Sequence, residues 1–243
     1  MTDTRLPLAA VPAAPSAPRT ARERARAELT REIVDAARVH LAAVGAAGLS
    51  LRAVARDLGM VSSAIYRYFP SRDDLLTRLI IDAYDGLGDA VDSRVGAMPR
   101  EDLLGRWLAV AHGCRDWALR HPQEWALIYG SPVPGYAAPE ATIGPGTRVS
   151  VTLITILADG FAQGITPEDS PVPAKVRRAM APLREFVPPV VADSHLIAGF
   201  MARTQLFGHI SLELDGQYTN TIDDLDSLFD HIMVRTAVTL GLA

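Results

Sequence analysis

Apolar residues recur along almost the whole chain at steps of three and four, and almost nowhere at steps of two. Leu29, Ile33, Ala37, Leu41 and Val44 form one such series, and Leu75, Leu79, Ala83 and Leu87 form another at strict four-residue steps. That spacing puts each set on one face of an α-helix and leaves little from which to build a sheet. Residues 149–157 (VSVTLITIL) are the exception, because their β-branched side chains suit a strand. A lone strand has no ladder partner, so this segment reads as a buried helix. The pattern predicts an all-α fold. With 243 residues and 49% apolar content the chain has enough material for a core, and its Ala/Leu excess over a 6% aromatic content favours helices.

Glycine, serine and proline divide the helical pattern into elements. The first helix begins near Ala21 and ends at Gly45 and Gly48. Ser50 can cap a short second helix carrying Leu51, Val54, Ala55 and Leu58, which Gly59 stops. Ser62 or Ser63 opens a third, very short helix running to Tyr68, and Pro70 breaks the chain again. Ser71 with Asp74 makes a capping box for a fourth helix, where Asp73 adds favourable charge. Beyond Pro99, helices are expected over 101–120, 122–130, 147–163, 174–186, 191–214 and 222–241, with a Pro/Gly-rich loop at 131–146. The first twenty residues are Ala/Pro-rich, and Pro7, Pro12, Pro15 and Pro18 interrupt any secretory h-region, so they read as a disordered arm. Three segments result: an arm at 1–20, a head at 21–70 and a body at 71–243.

The net charge of −4 conceals an asymmetry. Residues 1–78 carry twelve arginines against eight acids, whereas the remainder carries twelve basic residues against twenty acids. A basic head on an acidic body suits a phosphate-binding module attached to something else. Cys114 is the only cysteine, which removes disulfide frameworks and thiolate metal clusters. No apolar run approaches the roughly 18 residues of a membrane span, and a soluble, cytoplasmic protein is expected. HExxH, GxSxG, P-loop and GxGxxG patterns are all lacking. His195 and His209 share a helical face but lie about 21 Å apart along it, and His112 and His121 are separated by a helix end. Catalytic residues, metal ligands and cofactors are therefore not expected.

Residues 49–69, LSLRAVARDLGMVSSAIYRYF, read as helix, glycine turn and second short helix, the pattern of a helix-turn-helix. At 100° per residue, Ile65 and Phe69 fall together with Val61 beside them, facing a core. Ser63, Tyr66 and Arg67 project oppositely, with Ser62 at the edge and the small Ala64 among them. Such a helix suits the major groove, where short polar groups reach base edges while Tyr and Arg reach phosphates.

Gly45, Leu51 to Ala55, Gly59, Val61-Ser62, the run Tyr66-Arg67-Tyr68-Phe69-Pro70-Ser71-Arg72, and Leu75-Leu76 together resemble the N-terminal domain of the TetR family of repressors. The resemblance covers about fifty residues and holds in register. It implies DNA contacts from Ser50 and Arg52 at the start of the second helix. Ser62, Ser63 and Ala64 would read bases; Tyr66 and Arg67, with Tyr68 grouped beside them, would take mixed or phosphate positions. Arg72 stands where the family usually has Lys, and its planar fork differs from an ammonium. His40 is a departure, lying on the buried stripe of the first helix where an apolar residue is usual.

The resemblance also implies a body that binds a small-molecule effector and forms a homodimer through its last two long helices. Ile197, Thr204, Gly208 and Leu212 on one of them, with Leu225, Leu228, Phe229, Ile232 and Thr236 on the other, are the expected dimer residues. Trp107, Trp117, Trp125 and Tyr129 lie on the helices where the family's cavity usually opens, and Phe161, Met180, Phe186, Phe200 and Met201 could complete an apolar cage. The expected activity is repression at a palindromic double-stranded operator, relieved by a hydrophobic ligand. An effector-independent DNA-binding or nucleoid-associated scaffold, or a helical enzyme, stays open as an alternative.

Overall fold

The computed structural model describes residues 20–165, 171–184, 187, 189 and 191–243. Among these the chain forms eleven α-helices and one short 3₁₀ turn, with no strand. The helices divide between two compact units, one of residues 1–84 with 123–146 and one of 85–122 with 147–243.

In the first unit, α1 (Ala21–Gly48) starts at a reciprocal cap: the Glu23 N–H donates to Thr20 Oγ1 at 3.1 Å, and the Thr20 N–H donates to Glu23 Oε2 at 3.0 Å. Ile33, Val34, Ala37 and Leu41 are its buried residues. Val44, expected on that stripe, lies beyond the last packed turn and is exposed. Gly45 sits at φ +70°, which a Cβ would strain, and one further helical turn follows it. α2 (Leu51–Asp57) ends at Gly59, φ +66°, where the Met60 N–H donates to Ala55 O at 2.8 Å and the Gly59 N–H to Arg56 O at 3.0 Å. That pair of bonds is a Schellman ending, and it makes the turn between the two short helices. α3 (Ser62–Ile65) is a single turn. α4 (Arg72–Gly96) begins where Ser71 Oγ accepts from the Asp74 N–H at 3.1 Å.

Ile65, Phe69, Val54, Leu75 and Leu76 join Ile33, Val34 and Ala37 of α1 in one sealed cluster, against which Leu127 of α6 (Pro122–Tyr129) and Tyr136 also pack. Arg38 ties this unit together by reaching Asp35, Asp82 and Glu124 at 2.7–3.1 Å. Each fully buried Leu, Ile or Phe contributes about 1.5–3 kcal/mol, so this cluster holds two helices that are far too short to stand alone.

In the second unit α5 (Leu103–Arg120) packs against α10 (Asp193–Leu214) and α11 (Leu225–Thr239). Trp107 is buried and its indole N–H donates to Met233 O at 2.8 Å. Residues 149–157 are helical as expected, within α7 (Ile143–Ala162), with Val149, Leu153, Ile156 and Leu157 buried at helical spacing. The expected helix at 174–186 is instead two short ones, α8 (Ala174–Ala179) and α9 (Ala181–Arg184). Residues 140–162 are long and apolar enough for a membrane span by length and composition, contrary to the sequence expectation. Within them Arg148 of α7 bonds Asp85, Asp89 and Asp92 of α4 at 3.3, 2.8 and 2.6 Å.

Candidate nucleic-acid interface

The core-facing side of α3 is held by Ile65 and Phe69, both buried. Its other side is open: Ser62, Ser63, Tyr66 and Arg67 are all exposed, with Ala64 half-buried between them. Two hydroxyls, a phenol and a guanidinium therefore share one solvent face on a rigid base. Val61 corrects the helical wheel. It is 71% exposed, because it is the extended N-cap residue of α3 and not part of its helical turn. Ser50 occupies the N-cap of α2, but its side chain makes no capping bond there. Arg52 is exposed on the first turn of the same helix.

Two residues grouped with this face serve the fold. Arg72 donates through Nε to Leu49 O at 3.1 Å, and through Nη2 to Ala46 O at 2.7 Å and Ala47 O at 3.3 Å. Its fork closes the last carbonyls of α1, a task a lysine ammonium would perform with poorer geometry. Tyr68 is half-buried against the core cluster, and the Arg26 guanidinium lies 5.5 Å above its ring. Arg26 was not among the expected site residues. It donates to Arg67 O at 3.1 Å, so α1 reaches the end of the recognition turn. His40 is half-buried, and its Nδ1 is sealed without a hydrogen-bond partner.

Comparison with known proteins decides which family this architecture represents. The profile of the bacterial regulatory proteins of the tetR family matches residues 33–79, and that of the tetracyclin repressor-like C-terminal domain matches residues 107–236. The chain belongs to the TetR family. An HTH-type transcriptional regulator of Mycobacterium tuberculosis (strain ATCC 25618 / H37Rv), Rv1816, is 41% identical over 212 residues, covering 86% of this chain and 91% of that one. The crystal structure of the regulatory protein SCO4313 superposes with a TM-score of 0.71 at 32% identity, over 89% of this chain and 98% of that chain. PfmR from Thermus thermophilus, at 16% identity and a TM-score of 0.57 over 86% and 98% of the two chains, shares the fold. The protein is accordingly a DNA-binding transcriptional regulator, and not an enzyme.

Within this TetR-family chain the residues expected to form an aromatic cage are divided between the two units. Trp125 and Tyr129 pack on each other in the first unit, 4.6 Å between centroids. Trp117 lies against Gly86 and stacks on His121 at 5.1 Å, while Phe161 contacts His195 at 5.3 Å. Met180 is half-buried at the end of α8, and Phe186 lies outside the described residues. Phe200 and Met201 are 62% and 59% exposed. They fall on the face of α10 opposite Leu206 and Ile210, so they cannot line a core cavity. Trp107 borders an apolar cleft, with Leu157, Gly199, Ala202, Leu240 and others; its free space is about 10 Å³, one water's room. Cys114 is fully buried, and desolvation pushes its thiol up to about 12, which makes it inert.

The dimer residues separate in the same way. Phe229 is fully buried, with His112 and His209 rings 5.7 and 5.4 Å away. Thr236 is buried too, donating to Ile232 O at 2.8 Å and contacting Gln205 Oε1 at 2.9 Å. Both belong to the core of their own chain. Ile197, Gly208, Leu225, Leu228 and Ile232 are half-buried, and Thr204 and Leu212 are exposed. Phe200 and Met201 join this outer face of α10, and Val234 and Val238 continue it on α11.

Proposed function

We propose that this regulator is a repressor whose homodimer grips a palindromic operator and is released by a small apolar effector. The carrying observation is the exposed row of Ser62, Ser63, Tyr66 and Arg67 above a sealed base of Ile65 and Phe69. Ser62, Ser63 and Ala64 read bases, and Ser50, Arg52, Tyr66 and Arg67 hold phosphates. Tyr68 and Arg72 set the geometry of that face from below. Exposed Val61 adds an apolar contact suited to a thymine methyl. In this reading residues 21–70 read DNA, whereas 71–243 bind effector and dimerise through α10 and α11. Two heads related by the dimer axis would meet successive major grooves about one turn apart. The protein works where the chromosome is, in the cytoplasm.

Induction is a population shift: an effector that prefers the non-binding state by a few kcal/mol empties the operator. The cleft beside Trp107 marks where the body would open, since Gly199 lets Leu157 close upon α10 and a Cβ there would meet Leu157 Cδ1 at 2.5 Å. Operator selection from random duplexes, followed by gel shift, tests the reading. Arg67→Ala should weaken every sequence, and Ser63→Ala should change which sequence is preferred. Equal, sequence-blind losses from both would sink the division of labour. A ligand that binds tightly yet leaves operator affinity unchanged would end the sensor reading.

A further inference from the structure

The first two turns of α1 bury nothing: every residue from 21 to 28 is exposed, although a complete capping box specifies that the helix starts there. An unpacked helical extension gains little from the core, so what it displays is its purpose. Counting back from the core stripe, Ile33 and half-buried Leu29 are followed at steps of three and four by Arg26 and Arg22. These four share one face. The stripe turns from apolar to cationic where α1 leaves the head, and there Arg26 bonds Arg67 O at 3.1 Å. Arg22 sits four residues further out, about 6 Å beyond along the axis. Among the described residues it makes no ion pair. Glu23 and Glu28 fall off this row.

We infer that Arg22 and Arg26 form a second DNA-contacting element, a helical rail that lies along the phosphate backbone flanking the groove occupied by α3. The occupant is DNA because the rail is continuous with the recognition turn and its charge is complementary to phosphate. This inference rests on the reading of α3 as the base-reading element. Arg24 projects from the other side of the same helix, about 160° from Arg22, and supplies an internal control of identical charge.

The test uses the full-length chain and a duplex it selects from a random pool, with affinity measured from 50 to 200 mM salt. Arg22→Ala should reduce the slope of log affinity against log salt by about 0.9 per lost contact, about two for a dimer. Near 150 mM salt that amounts to roughly tenfold weaker binding, with the preferred sequence unchanged. Arg22→Lys should restore the slope, and Arg24→Ala should leave it alone. Hydroxyl-radical footprinting of Arg22→Ala should lose protection only on the backbone outside the recognition groove. An unchanged slope in Arg22→Ala, or the same change in Arg24→Ala, would overturn the rail. If the parent chain selects no sequence, or Arg67→Ala binds as the parent does, the reading of α3 itself has failed, and that result is separable from failure of the rail.

Discussion

Arg115 and Glu213 place opposite charges in the second unit's interior, each side chain only 7% exposed, joined by two bonds of 2.8 and 2.7 Å. Asp226 adds a third partner at 2.7 Å, and the guanidinium lies 4.9 Å from the Phe229 ring centre. Such a pair is costly to break, because the survivor is left charged and dry. Arg115→Ala should therefore cost about 3–5 kcal/mol and lower Tm by about 10 °C in thermal denaturation. Replacing both partners with apolar residues should cost far less, and equal losses would contradict a desolvated pair. Next to it, His209 has its Nε2 buried without a partner and its Nδ1 3.3 Å from Tyr218 Oη. Burial lowers its pKa below the ordinary 6.5; Glu213 opposes that effect and Arg115 adds to it. The unfolded chain thus takes up the proton first. His209's contribution to stability is full above about pH 6.5 and declines as pH falls below it. His209→Asn should flatten that decline in pH-dependent melts, and an unaltered profile would remove His209 as its source.

Among the elements, the recognition turn depends on glycine at one position and arginine at another. Gly59 carries φ +66° within the Schellman ending of α2, so Gly59→Ala should cost about 1–2 kcal/mol and lower operator affinity with it. Arg72 performs the comparable task for α1, and Arg72→Lys should loosen the end of α1 while conserving charge. On α4, Asp85, Asp89 and Asp92 recur at helical spacing and converge on Arg148. Gly88 stands beneath that guanidinium, and a Cβ there would lie 2.5 Å from Arg148 Nε. Arg148→Ala should leave three carboxylates on one face and cost about 1 kcal/mol, since the cluster is partly exposed. High salt should recover most of that loss in a denaturation series; a salt-independent loss would point to packing instead of charge.

For the whole molecule the surface proposed for dimerisation is the outer face of α10 and α11. Phe200→Glu, and Met201→Glu separately, should yield a well-folded monomer by analytical ultracentrifugation that no longer binds a two-half-site operator. Phe229→Ala should behave differently. It should cost about 3–5 kcal/mol in stability before any change in oligomeric state, because Phe229 is core. A dimer that survives both glutamates would move the interface elsewhere.

Periodicity by itself determined the helical class, the positions of nearly every helix and the outward set on α3, because each follows from the 3.6-residue period of a single segment. It misplaced Val61, since a wheel presumes helical backbone and an N-cap is extended. The family resemblance grouped Tyr68 and Arg72 with the DNA contacts, and their bonds to the end of α1 and to Arg26 depend on carbonyls and rings that only folding brings near. Only the tertiary structure decided which face of each long helix looks inward. Both faces of α10 are apolar, so Phe200 and Met201 looked as suited to a cavity as Phe229 looked suited to a dimer. The packing of α5 against α10 and α11 settled the choice, turning Leu206, Ile210 and Phe229 to the core and leaving Phe200 and Met201 at the surface. A helix's period specifies its stripes, but only its neighbours select which stripe is buried.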